Sequence, residues 1–411
     1  ITGQGKLADG ITLHSQLATT GLLDDIGGAS YIAILVDACG ESFAAIDYAK
    51  FILEQYQRRE ALRITSAFGS LILSDTERPI DALMAEFEGE FQALTSVGSN
   101  NTQFRAGDAA LQFAKDLRNG QGDGVFLGLS ELNDTRGRVG VGYLCLVGGR
   151  PAMGKSAFML QCAVNIAREG QGVFIASMDM TRDQVTTRLI SMLAKTRLEY
   201  RDITPEKTTD ELQAVINEAA FEISKLPIII EDRRGRNVDD ILSSIRKARA
   251  TFKKQGKQLS IAFVDHVQKI RPSRNSGNLY QEGSEIARKL KDGAMAVKLP
   301  IVAFSQLSRG IESRDNKRPM LSDFRDTGAW EEEADIVLAL FREAYYLRRD
   351  KDHELDPAKW DELDKRLREA KFDIEIDALK VRQGEPKTIK AHIDIGVNCI
   401  ADKPRTLRRV Y

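Results

Sequence analysis

The chain has 411 residues, 42 % hydrophobic and 29 % charged, with a formal net charge of −1. This length predicts two or three domains of an ordinary globular protein, and the near-neutral balance excludes a global electrostatic pull toward nucleic acid or membrane, so any polyanion site has to be a local basic patch. Cys39, Cys145, Cys162 and Cys399 lie far apart without a CxxC, which argues against zinc or a disulfide framework and fits a reducing, cytoplasmic compartment. No apolar run reaches membrane-spanning length, and the first residues lack a secretory signal pattern. The chain does not begin with Met, which points to residues preceding Ile1.

Residues 11 to 95 read as helical. The stretch "AAIDYAKFILEQYQRREALRITSAFGSLI" places Ile46, Tyr48, Ala49, Ile52, Tyr56 and Leu62 at helical spacing, and "PIDALMAEFEGEFQAL" is a second amphipathic run. An all-α docking domain is predicted over residues 1–94. Residues 95–125 are rich in Gly, Asn and Ser and read as linker. Within it, "DAALQFAKDLRN" predicts a short helix with Asp108 as N-cap and Leu111, Phe113, Ala114 and Leu117 on one face. That face either packs on its own chain or docks on a neighbouring subunit.

From about Phe126 the pattern becomes α/β and continues over residues 126–411. The runs "YLCLVG", "GVFIAS", "LPIIIED", "LSIAFVD", "LPIVAFS" and "DIVLALF" are unbroken apolar strands, mostly separated by helical segments. This pattern predicts a mostly parallel sheet covered on both faces. The C-terminal "IDALKVR" and "TIKAHIDI" alternate, as antiparallel strands do.

The sequence "GGRPAMGKSAF", Gly148 to Phe158, matches the phosphate-binding loop, or P-loop, pattern. Gly149, Arg150, Pro151, Ala152, Met153, Gly154, Lys155, Ser156 and Ala157 form the expected cradle between a strand and a helix. Glycines let the backbone approach phosphates, and the helix N-terminus offers free N–H groups and a positive dipole. Lys155 is expected on the β- and γ-phosphates of ATP, and the Ser156 hydroxyl on Mg²⁺. Asp265 ends a buried strand where a Walker B metal contact belongs. His266 follows and reads as a structural or solvent-facing imidazole. Asp179 ends "GVFIASMD" and either orients or deprotonates the attacking water or caps the helix near "TRDQVTTRLI". Gln306 either senses the γ-phosphate or is an ordinary strand-end residue. In "SDFRDTGAWEEEAD", Arg325 near Gly328 either holds a nucleic-acid phosphate or sits in a solvated loop before a capped helix. The basic "KIRPSRNSG" is a second polyanion contact or a surface loop.

Taken in order, "GRPAMGKSAF", "SMDM", "FVDHVQKI", "EIARKLK", "LPIVAFSQLSRGIESR", "KRPMLSDFRDTGAWEEEADIVLALFREAYY" and "LKVRQGEP" resemble the DnaB family of replicative helicases, built on a RecA-like core. The N-terminal "GLLDDIGGASYIAILVDAC" resembles that family's helical domain, so the match covers nearly the whole chain. The resemblance implies a RecA-like P-loop NTPase domain (mostly parallel sheet, antiparallel C-terminal strands) preceded by an all-α N-terminal domain that lacks its first helices. It implies Asp179 at the catalytic glutamate position and Gln306 as the coupler of nucleotide state to DNA. Arg325, Asp326 and Gly328 fall in the pore loop that grips single-stranded DNA. Lys380 and Arg382 match a KxRxG block whose arginine reaches a neighbour's nucleotide. It further implies a homohexamer moving 5′→3′ on single-stranded DNA, with ATP and Mg²⁺, a loader and a primase, and no membrane. On residues alone, Arg382 reads as a solvated strand residue.

The sequence departs from the family pattern at several places, "WEEEAD" for the usual acidic "IEQDAD" among them. "SMDM" stands for the usual "SLEM", shortening the catalytic carboxylate by one methylene. Asp326 replaces a Glu. A charged insertion spans residues 347–376, with Asp356 and Pro357 as a helix start and Trp360, Leu363 and Leu367 on one face; it either binds a partner or, the favoured reading, decorates the surface. These differences suggest a divergent bacterial or phage version. A RecA-like recombinase or annealing ATPase, and a helicase-docking module with weak hydrolysis, are the rival readings; neither accounts for as many motif positions.

Overall fold

The computed structural model describes residues 10–19, 21, 23, 27–32, 45–75, 78–96, 106–118, 124–134, 138–272, 277–324, 328–353, 357–382 and 384–403. It divides into two compact units, Ile1–Gly120 and Gln121–Tyr411. No described helix is long and apolar enough to cross a membrane.

The first unit is helical: α1 (Gly10–Thr19), α2 (Ala45–Ser74), α3 (Ile80–Ser96) and α4 (Ala106–Arg118). Helices α2 and α3 form a hairpin whose turn is tied by Arg78 donating to Asp75. Phe68 stacks on Phe87 with ring centroids 4.1 Å apart, beside buried Ile64, Leu83 and Leu94. Helix α4 starts at Ala106, so Asp108 stands in its first turn and not at its N-cap. Leu111 is exposed, while the Phe113 and Leu117 side chains lie outside the described residues.

The second unit runs β1 (Val125–Phe126), α5 (Ser130–Asp134), β2 (Arg138–Val139), β3 (Leu144–Gly149), α6 (Lys155–Arg168), β4 (Gly172–Ser177), α7 (Arg182–Leu193), α8 (Asp210–Lys225), β5 (Ile228–Glu231), α9 (Val238–Lys254), β6 (Leu259–Asp265), α10 (Leu279–Val297) and β7 (Ile301–Gln306). It continues with α11 (Gly328–Glu333), β8 (Ile336–Phe341), α12 (Glu343–His353), α13 (Pro357–Ala370), β9 (Asp373–Val381), β10 (Lys387–Asp394) and β11 (Cys399–Asp402). The sheet order is β11-β10-β9-β8-β3-β7-β6-β4-β5. From β8 to β5 the strands are parallel; β9, β10 and β11 are antiparallel. Every strand read from the apolar runs is present, and the short β1–β2 pair and β11 are additions.

Successive residues of β3 feed opposite layers, because strand side chains alternate. Cys145 and Val147 pack with Phe158, Met159 and Cys162 of α6, and Leu144 and Leu146 pack with Ile241 and Ile245 of α9 and Leu290 of α10. Both faces are therefore dry, which is why these strands carry unbroken apolar runs. In the insertion, α13 leans on α12 through Leu363, Leu367 and Ala370 against Ala344 and Leu347, while Trp360 is 45 % exposed.

One polar knot fixes the N-terminal edge of the sheet. The Asp335 carboxylate accepts from Lys291 Nζ at 2.6 Å, Leu144 N–H at 2.9 Å and Arg382 Nη1 at 2.8 Å. Burial alone would raise its pKa, but the Lys291, Leu144 and Arg382 donors outweigh that, and the carboxyl stays below its ordinary value. A group with a depressed folded pKa stabilises above its unfolded pKa and loses that contribution as pH falls through the folded pKa. Asp335→Asn should therefore cost about 3 kcal/mol of unfolding free energy at pH 7, because it leaves the buried Lys291 ammonium uncompensated. Urea titrations should show the gap to wild type narrowing in acid. An equal gap at pH 7 and pH 3 would contradict this reading.

Candidate nucleotide site

Strand β3 ends at Gly149 and α6 begins at Lys155. The turn between them takes positive φ at Ala152 (65°) and Gly154 (94°). Gly154 caps α6 without a side-chain hydrogen bond, so the first-turn N–H groups face outward for an anion. A Cβ on Gly154 would come within 2.7 Å of Ile393 Cδ1, which the isoleucine tip could relieve by shifting, so it is the positive φ that favours glycine. Lys155 Nζ folds over the loop, donating to Gly149 O at 2.5 Å and Arg150 O at 3.2 Å. Burial lowers its pKa to about 8, with the Asp265 carboxylate opposing. The Arg150 side chain is buried and committed to Glu312 (3.0 and 2.8 Å) and Leu307 O (2.9 Å), which leaves its main chain for a phosphate. Behind the loop, Arg342 Nη1 donates to Ala152 O at 3.1 Å.

Three adjacent strand ends complete this edge. Ser177 pairs with Asp265 between β4 and β6, and Asp265 with Phe304 between β6 and β7. The chain therefore delivers Asp179, Asp265 and Gln306 side by side at the carboxyl edge of the sheet, where open α/β sheets bind ligands. Asp265 is 5 % exposed, and no side-chain hydrogen bond to it is present among the described residues. Burial raises its pKa, with His266 and Lys155 opposing. A buried, unpaired carboxylate suits a cation. Together with the Ser156 hydroxyl in the first turn of α6, it is a fitting donor pair for Mg²⁺ between phosphate and protein.

Beside the P-loop lies a cavity of about 380 Å³ lined by Asp179, His266, Gln268, Lys269, Gln306 and Arg309. Helix α7 is capped by Thr181, whose box partner is Gln184, so Asp179 is not the cap. Its carboxylate is half exposed and 3.6 Å from Lys269 Nζ. Gln268, absent from the sequence-based candidates, ties the edge together: its Nε2 donates to Ser305 Oγ at 2.9 Å and Gln306 O at 3.1 Å, and its Oε1 accepts from Gln306 N–H at 3.1 Å. Only its place in the "FVDHVQKI" block hinted at a role.

The remaining predicted residues lie elsewhere. Strand β9 runs against β8, pairing Glu375 with Phe341 and Val381 with Ile336. Lys380 and Arg382 therefore emerge at the N-terminal edge. That edge is about 17 Å along the strands from Gly149, at roughly 3.3 Å per residue. Lys380 Nζ donates to Glu331 O, and Arg382, 65 % exposed, rests on Asp335. Gly328 opens α11 and is exposed. Arg325 and Asp326 lie outside the described residues.

Comparison with known proteins follows the same division. The family described as "DnaB-like helicase C terminal domain" matches residues 124–398, and "DnaB-like helicase N terminal domain" matches residues 1–54. The chain is 33 % identical over 387 residues to the replicative DNA helicase DnaB of Rickettsia bellii, covering 87 % of this chain and 74 % of that one. It is 31 % identical over 350 residues to the replicative DNA helicase DnaC of Bacillus subtilis, covering 84 % and 75 %. A solved ATPase domain of G40P aligns with a TM-score of 0.63 at 28 % identity, over 74 % of this chain and 100 % of that one. A DnaB-like replicative helicase, solved in a study of its interactions with primase, shares the fold with a TM-score of 0.67 at 23 % identity, over 98 % and 89 %.

Keeping Asp265 charged and unpaired costs stability. Asp265→Asn should raise the thermal midpoint of the nucleotide-free protein by about 2 °C or more, as removal of roughly 1 kcal/mol of desolvation strain would. It should lower ATP turnover at least ~100-fold. A lowered midpoint in a scanning calorimeter would sink the stability half of this prediction, and wild-type turnover the catalytic half.

Proposed function

This chain belongs to the DnaB family of replicative DNA helicases, and we propose that it works as a homohexameric ring whose ATP sites are each built by two neighbouring copies. It is an ATP-dependent DNA helicase. The observation behind the two-copy site is the separation within one sheet. The P-loop, Asp179, Asp265 and Gln306 occupy the carboxyl edge, while Lys380 and Arg382 stand on the opposite edge. No rotamer change carries Arg382 to its own Lys155. In a head-to-tail ring the two edges of successive copies face each other, and each copy supplies the other half of its neighbour's site.

The roles follow from placement. The loop from Gly149 to Ala157 cradles the phosphates, and Lys155 moves from Gly149 O onto the β,γ-phosphates. Ser156 and Asp265 would hold Mg²⁺, which would supply charge to offset that of the phosphates. Asp179 orients the attacking water. Gln306 reads the γ-phosphate, with its main chain held by Gln268. Lys380 and Arg382 of the adjacent copy supply charge in trans, an effect worth about 10³-fold or more in rate. Pore loops around Arg325, Asp326 and Gly328 follow the DNA backbone; phosphate contacts carry little sequence information, which suits a motor that moves along any sequence. In this reading residues 1–94 dock partners, 95–125 link, and 126–411 form the motor. Movement is 5′→3′ on the encircled strand, in the cytoplasm of a bacterial or phage-infected cell. A loader and a primase are its partners; a helicase of the same fold was solved in a study of its interactions with primase.

The test is unwinding of a forked duplex with a 5′ single-stranded tail, by wild type and by Lys155→Ala. Strand separation by wild type alone is expected, with none from a fork bearing only a 3′ tail. A wild-type hexamer that binds the tail yet opens neither fork, even with a loader supplied, would overturn the motor reading in favour of a docking ring.

A further inference from the structure

His266 shares the cavity with Asp179 and Gln306, and its protonation pattern is fixed by its neighbours. Gln268 bonds the main chain of Gln306 twice, and main-chain groups cannot exchange roles: the Gln306 N–H only donates and its carbonyl only accepts. The Gln268 amide therefore has one orientation, with Oε1 toward the Gln306 N–H. That same Oε1 lies 2.9 Å from His266 Nδ1. An amide oxygen only accepts, so Nδ1 carries the hydrogen. In the neutral ring the lone pair is then on Nε2, which has no hydrogen-bond partner among the described residues.

We infer that His266 is a catalytic residue of this ATPase: its Nε2 accepts a hydrogen bond from the attacking water and aligns that water with the γ-phosphate. The inference rests on the reading of the Asp179–Asp265–Gln306 edge as the hydrolytic centre. A second acceptor is needed there, because Asp179 is one methylene shorter than glutamate and its carboxylate leans toward Lys269. The imidazole follows Asp265 directly in the chain and lines the same cavity as Asp179 and Gln306. In the step it assists, the water oxygen bonds to the γ-phosphorus and the bond from that phosphorus to the β,γ-bridging oxygen breaks. ADP leaves with the electron pair, and the proton shed by water ends on inorganic phosphate. His266 keeps its own proton on Nδ1 throughout and acts only as an acceptor.

Two near-isosteric replacements separate the ring nitrogens. His266→Asn puts an amide nitrogen near the place of Nδ1, keeping the bond to Gln268 and deleting Nε2. His266→Gln puts an amide oxygen near the place of Nε2 and gives up the bond to Gln268. With the full-length chain, saturating ATP, Mg²⁺ and single-stranded DNA, His266→Asn should lower kcat at least ~10-fold while the Kd for a fluorescent ADP analogue stays within ~2-fold. His266→Gln should keep kcat within ~3-fold of wild type. Wild-type kcat in His266→Asn would overturn the inference, as would a fall in His266→Gln as large as that in His266→Asn, since an acceptor restored near the place of Nε2 would then restore no turnover. Asp179→Asn, run beside them, separates the two readings. Loss of turnover in Asp179→Asn with none in His266→Asn sinks the His266 inference alone. Wild-type turnover in both sinks the hydrolytic-centre reading and the inference with it.

Discussion

Strand polarity is the constraint on which the rest of this structure depends. Parallel strands place all their carboxyl ends on one edge, so whatever follows β3, β4, β6 and β7 is gathered there without further design. The same polarity excludes residues that follow an antiparallel strand running the other way. Strand β9 returns toward the N-terminal edge, and its last residue pairs with Ile336, next to the Asp335 knot. The P-loop and Arg382 therefore stand on opposite edges of one sheet, out of each other's reach within a single copy. In the proposed ring, hydrolysis depends on the neighbouring copy for that reason, and the motor's cycle is tied to assembly.

The carboxyl edge holds features that are poor for stability and good for chemistry. Gly154 sits at a positive φ that other residues rarely adopt. Asp265 is a buried carboxylate with burial pushing its pKa up, and Lys155 is a buried amine with burial pushing its pKa down. Each would be relieved by the ions the other features attract: phosphate for the lysine and the helix N-terminus, a divalent cation for the aspartate. The surrounding layers are dry and close-packed, which is what holds such groups in place. Gln268 plays the same part for the cavity, because one amide fixes the Gln306 main chain and the His266 ring at once.

Much of this was legible in the chain. The apolar runs located the six parallel strands because burial on both faces leaves no room for alternation. The P-loop and Asp265 were legible because a glycine-rich turn between strand and helix, and an acid closing an apolar run, are local patterns that read directly from the chain. Strands β1, β2 and β11 were not, since two to four residues carry no period. Asp179 was ambiguous between cap and catalyst until Thr181 proved to be the cap. Arg382 looks like a solvated residue by sequence and is 65 % exposed in the fold; only the family resemblance gave it a role. Its partner Asp335, 47 residues away, shows no sequence signal of the pairing. Gln268 and His266 were undervalued for a related reason. What an amide or an imidazole does is set by the atoms that a neighbouring strand brings to it.

If each ATP site is shared between two copies, two inactive variants should complement each other when mixed. Lys155→Ala removes the phosphate half and Arg382→Ala the opposite half, so each homogeneous ring should hydrolyse almost nothing. In a 1:1 mixture assembled at random, roughly a quarter of the interfaces pair an intact Lys155 with an intact Arg382, and DNA-stimulated ATP hydrolysis should return in proportion. A mixture as inactive as its two components, although the copies demonstrably co-assemble, would contradict the shared site and the account built on it.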